Sequence, residues 1–112
     1  MKNVREVPKT WIQERGQQKG FKFTLITEAR RVKLYEVMDG DTKHYEVVKT
    51  RLTPARPHKY KSHEGYDLIE RLPSSDRWGF DGWTFMDAEK AALKYSDVAL
   101  KELNKKIYET SK

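Results

Sequence analysis

The chain has 112 residues, no cysteine, a formal net charge of +6 and a pI near 9.5, with 37% hydrophobic and 36% charged residues and a mean hydropathy of −0.93. That length builds one core rather than two, and the missing cysteines exclude disulfides and thiol chemistry, leaving His, Asp and Glu as the metal-ligand types. No apolar run approaches the roughly 20 residues of a membrane span, and residues 1–20 lack the apolar stretch of a secretory signal, so a cytoplasmic location away from membranes is expected.

Residues 1–20 are polar, with Trp11-Ile12 as the apolar anchor. Either Thr10 caps a short helix or Trp11 opens an irregular edge strand that closes one end of the core. From Phe21 the period becomes two. Phe21, Phe23 and Leu25 alternate with Lys22, Thr24 and Ile26, and after Glu28-Ala29-Arg30 the pattern resumes with Val32 and Leu34 against Lys33, Tyr35 and Val37. Met38-Asp39-Gly40-Asp41-Thr42 carries an Asp-Gly turn signal, and His44 to Leu52 reads as a third strand, which makes an antiparallel meander. Ile26, Tyr35, Val37 and Val48 predict partial cover on the sheet face away from the helix.

The window 49–63 is the most biased in the chain: Lys49, Arg51, Arg56, Lys59 and Lys61 occur with no acid among them, and Pro54 and Pro57 place them on an extended loop or at an edge. Tyr66 to Leu72 predicts a further strand, ended by Pro73. Asp76 to Gly82 returns the chain to the sheet for Trp83 to Phe85, whose rings share one side. Asp87 suits a helix N-cap, and a helix is predicted over 87–109. Its apolar arc comprises Ala88, Ala91, Ala92, Tyr95, Val98, Ala99 and Leu103, widened by Leu93, Leu100 and Ile107; Lys90, Lys94, Lys101 and Lys105 fall within about 60° of one another on the wet side. The fold expected is α+β, a single domain with an antiparallel sheet of about four to five strands packed on one long C-terminal helix.

The basic window has the composition of a nucleic-acid contact. Lys49, Arg51, Arg56, Lys59 and Lys61 suit phosphates, Tyr60 offers a stacking face, and His58 joins when protonated. His58, His63, Glu64 and Asp67 match no metal-site spacing, and no phosphate loop, nucleophile elbow or zinc-protease motif is found, so neither a metal, a cofactor nor catalysis is expected. Trp78, Phe80 and Trp83 gather around two glycines and form the alternative candidate, a patch for a protein partner.

Thr84 to Leu100 resembles the last strand and helix of the plant ethylene-response-type DNA-binding domain, a three-stranded sheet on one helix, and is similar in architecture to the arm-binding domains of phage integrases. The resemblance implies helix-docking roles for Thr84, Phe85, Ala88, Glu89, Ala91, Ala92, Tyr95, Ala99 and Leu100. The arginine- and tryptophan-rich strands of that family have no counterpart at Phe21 to Leu52, and Thr53 to Trp78 is an insertion. The short, basic, cysteine-free chain also resembles accessory proteins of phages and mobile elements. The expected partner is nucleic acid, DNA before RNA, held mainly by its backbone. The alternative is an inhibitor or accessory factor that docks a protein through the aromatic patch or a sheet edge, and a homodimer is compatible with both.

Overall fold

The computed structural model describes residues 3–110, and their side chains as far as residue 105. Eight strands and one helix follow in order: β1 (Val4–Arg5), β2 (Thr10–Ile12), β3 (Lys22–Ala29), β4 (Val32–Asp39), β5 (Thr42–Lys49), β6 (Arg51–Pro54), β7 (Leu68–Arg71), β8 (Gly82–Phe85) and α1 (Ala88–Thr110). They form an antiparallel sheet of five, in the order β2-β3-β4-β5-β8, and a sheet of three, β1-β7-β6, in which β1 runs parallel to β7. The α+β class and the meander agree with the sequence. The second sheet is a correction: the strand expected from His44 to Leu52 ends at Lys49, and buried Thr50 passes the chain across to β6.

Alternation along β4 explains the two-sided core. Val32 and Leu34 turn toward α1 and pack with Val47, Ala91 and Val98; Trp83 and Phe85 join them from one side of β8. Tyr35 and Val37 turn the other way and pack with Phe23 and Val48, under Val7 and Trp11. Trp11 lies on edge strand β2, stacked on Phe23 with ring centroids 4.6 Å apart and meeting Tyr35 edge-on at 5.1 Å. The β4–β5 turn places Gly40 at φ 59, in the left-handed region that glycine enters without a steric penalty. Ile26 is a correction to the expected cover. The register slips between Leu25 and Thr27, and this bulge leaves Ile26 exposed.

The helix is rotated from the expected arc. Ala91, Tyr95, Val98 and Ala99 meet the sheet, whereas Ala88, Ala92, Leu93, Leu100 and Leu103 are exposed, and the side chain of Ile107 lies outside the described residues. The physical reason lies at the margins of the contact. Lys94 leaves the wet stripe and holds its ammonium 4.5 Å from the centre of the Trp83 ring, while the Glu102 carboxylate takes Lys49 Nζ at 2.9 Å. Both long side chains cover apolar surface with their stems and keep their charges engaged, so the sheet captures the side of α1 that includes them and leaves the leucines outside.

The cap stands as expected, since Asp87 Oδ1 accepts from the Glu89 amide at 2.9 Å. These contacts order a stability series. Tyr95→Ala is expected to cost about 2–3 kcal/mol through lost aromatic burial. Asp87→Ala removes a cap, and Lys94→Ala uncovers Trp83; each is expected to cost about 1 kcal/mol. Urea unfolding of the three variants checks the order, and a silent Lys94 would contradict the rotated helix.

The two sheets are locked together by Glu70, whose side chain is fully buried. It takes Arg31 Nη1 at 2.8 Å, Lys33 Nζ at 3.2 Å and the Val7 amide at 2.9 Å, and it also accepts from the Thr50 hydroxyl. Burial pushes the Glu70 carboxyl up, but the hydrogen bonds from Thr50, Val7 and Arg31, with the Lys33 charge, together hold it below the usual range.

Candidate nucleic-acid interface

Register places three arginines on one face of the small sheet. Arg5 lies opposite Ile69 and Arg51 opposite Arg71, and Ile69 and Arg71 are two apart on β7, so Arg5, Arg51 and Arg71 share a side. They line one open groove of about 720 Å³ that continues past Trp11, Gln13 and Arg15. Arg51 and Arg71 form a like-charged cross-strand pair, an arrangement that is unfavourable unless an anion lies over it. Among the described residues neither they nor Arg5 pair with a carboxylate; the Arg71 Nε–H donates to Thr53 Oγ1 at 2.9 Å. Glu6 and Glu14 stand on the groove as well, and the Glu70 carboxylate is neutralised by Arg31 and Lys33.

The basic window, expected on an extended loop or at an edge, divides into three parts, one of which is an edge strand. Lys49 ends β5 and is held by Glu102 at 2.9 Å and Asp81 at 3.9 Å. Arg51 belongs to the edge strand β6, as the prolines allow. From Ala55 the chain folds into a compact turn in which the amides of Lys59 and Tyr60 bond to the Arg56 carbonyl. Arg56, His58, Lys59, Tyr60 and Lys61 are all exposed there, with Lys59 Nζ 5.5 Å from the centre of the Tyr60 ring.

His63 anchors this turn. It is buried, its ring lies 4.8 Å from Tyr60, and its Nδ1 accepts from the Arg56 amide at 3.0 Å, which requires the unprotonated nitrogen. Burial, then the charges of Arg71, Arg5 and Arg56, lowers its pKa from the ordinary histidine value. Two of these arginines, Arg5 and Arg71, belong to the sheet face and the third to the turn, and His63 lines the arginine groove, so the turn adjoins that face. Among the described residues no three His, Asp or Glu groups meet in a way that would hold a metal ion, and no helix is long and apolar enough to cross a membrane.

The aromatic trio does not form one patch. Trp83 faces α1, whereas Trp78 lies on the opposite side of β8, donating from Nε1 to Thr84 Oγ1 at 3.0 Å. Phe80 is 66% exposed on the turn between them, with the Arg77 guanidinium 5.3 Å from its ring centre. Along α1, Leu93, Leu100 and Leu103 are exposed, and Ile12, Ile26 and Met86 are exposed elsewhere. Of the docking positions implied by the family resemblance, Phe85, Ala91, Tyr95 and Ala99 pack between sheet and helix; Thr84 serves Trp78 instead, and Ala88, Glu89, Ala92 and Leu100 are exposed.

No family model, curated protein or solved structure matches the chain. The site is therefore described by its own geometry. Sequence reasoning missed Arg5, Arg15 and Arg71, because each stands next to a glutamate, Glu6, Glu14 and Glu70, that cancels its charge locally, and only the β1-β7-β6 pairing and the packing of residues 11–15 assemble them.

Proposed function

We propose that this is a small non-catalytic accessory protein that binds nucleic acid through backbone phosphates, with DNA the first polymer to test. The observation that carries this reading is the arginine face. Arg5, Arg51 and Arg71 stand together on the small sheet without carboxylate partners among the described residues, and Arg56, Lys59 and Lys61 extend the surface onto the neighbouring turn. Guanidinium groups carried on strands are positioned more rigidly than lysines on a loop, and they suit the two-oxygen geometry of a phosphate. Tyr60 offers a ring beside the turn, and His58 stands exposed next to it. Lys49 contributes little, since Glu102 and Asp81 already hold it.

Counterion release sets the test. With about four phosphates neutralised, log affinity for a labelled oligonucleotide is expected to fall against log salt with a slope of about 3 to 4. The double variant Arg51→Ala/Arg71→Ala is expected to reduce that slope by about 2, since each lost phosphate contact removes about one unit. Fluorescence anisotropy from low to moderate salt measures both. Affinity that ignores salt, or no binding to any DNA or RNA, would overturn the reading.

A further inference from the structure

Beyond the arginine groove lies a second, smaller space. It holds about 130 Å³, and Trp11, Gln13 and Leu72 line both, so the two adjoin. Its walls include Trp78, Tyr35, Gln18 and Glu46. We propose that this niche takes one unstacked base of a single strand whose phosphates run along the arginines; the inference rests on the nucleic-acid reading and adds strand state and base contact to it.

Three observations support the niche as a base site. First, Trp78 is a fixed platform. Its Nε1–H is tied to Thr84, and its ring lies against Gly82, where an added Cβ would come within 2.5 Å of ring carbons; even so, 37% of the residue is exposed. A large aromatic surface left open and unable to turn away is what sequence-tolerant stacking of a base requires. Second, Glu46 is 4% exposed, and its Oε2 accepts from Gln18 Nε2 at 2.9 Å and lies 3.0 Å from His44 Nε2. Its Oε1 has no donor among the described residues, so a carboxylate oxygen remains for the N–H of a ligand. An exocyclic amino group of cytosine or adenine supplies that donor. Third, the space is small, about 130 Å³, and is walled by rings on more than one side, Trp11, Phe23, Tyr35 and Trp78 among them.

The choice between single strand and duplex follows from the stacking platform. A duplex keeps its base faces stacked inside and cannot lay one on Trp78. A single strand can, while it offers an amino group to Glu46.

The test compares three probes on the unmodified protein at one salt concentration: a short oligo-dC, a duplex of the same length, and a strand of the same length made of abasic sites. The abasic strand keeps its phosphates and is expected to bind on the order of 10- to 100-fold more weakly than oligo-dC, with the duplex closer to the abasic strand. Equal affinity of oligo-dC and the abasic strand, with a normal salt slope, would overturn the base site while leaving phosphate binding intact. No binding of any probe would instead overturn the underlying reading. Glu46→Gln keeps the shape of the side chain, and it is expected to erase a preference for oligo-dC over oligo-dT without altering the salt slope. An unchanged preference in that variant would overturn the role of Glu46.

Discussion

Replacing Glu70 by alanine is expected to cost about 4 kcal/mol, a large fraction of the stability of a domain this size. The carboxylate is fully buried and answers Arg31, Lys33, Thr50 and the Val7 amide at once. Its removal leaves Lys33, itself 3% exposed, with only the more distant Glu28 carboxylate at 3.6 Å. An ammonium held out of water with one long contact is costly, whereas replacing both charges with apolar groups of similar volume is often nearly neutral. The double variant Glu70→Leu/Lys33→Met is therefore expected to recover most of the loss. Urea melts of the single and double variants separate the two cases, and a Glu70→Ala protein within about 1 kcal/mol of the parent would contradict the lock between the sheets. The same network sets an acid limit. Because the folded carboxyl is held below its ordinary value, the unfolded chain takes up the proton first as pH falls, so this stabilisation is present above the usual glutamate range and is lost as pH drops through the folded pKa. Glu70→Gln is expected to flatten that part of the pH–stability curve.

Tyr35→Ala is expected to cost about 4 kcal/mol, yet Tyr35→Phe should cost nothing and raise stability by up to about 1 kcal/mol. The ring is 1% exposed and central to the cluster of Phe23, Val37 and Val48, so truncation opens a cavity under Trp11. The hydroxyl, by contrast, is buried and has no hydrogen-bond partner among the described residues. Burial, then the charges of Glu70 and Glu28, raises its pKa well above the ordinary tyrosine value, which favours the neutral hydroxyl. Removing an unmatched buried hydroxyl relieves a desolvation penalty and leaves the packing in place. Thermal or denaturant unfolding reads both variants, and a loss above about 1 kcal/mol for the phenylalanine would show that an ordered water satisfies the oxygen in solution.

Local signals carried the large sheet. The period of two from Phe21, the Asp-Gly turn, the paired rings of Trp83 and Phe85 and the Asp87 cap each act over a few residues, and each stands in the structure. Signals that need register or a partner surface failed. The rotation of α1 is set by Trp83 recruiting Lys94 and by Lys49 recruiting Glu102, and a helical wheel that sorts residues by hydropathy places both charges in water. The candidate interface was half legible. Arg51, Arg56, Lys59 and Lys61 stand out by composition, but Arg5 and Arg71 become neighbours only through a strand pairing between distant parts of the chain. Glu46 and Trp78 gave no sign in the sequence of lining a common space.

That distant pairing also governs the order in which the molecule is completed. Val4 meets Leu68, and the Asn3 amide reaches the Asp67 carboxylate across 64 residues, so β1 finds its place only once β7 exists. The meander forms from near neighbours and needs no such wait. In the finished molecule the two-residue β1 is correspondingly the easiest strand to release, and its release would carry Arg5 away from Arg71. A polyanion spanning both arginines would therefore do more than occupy a surface: it would fasten β1 against β7 and so stabilise the pairing of the two strands.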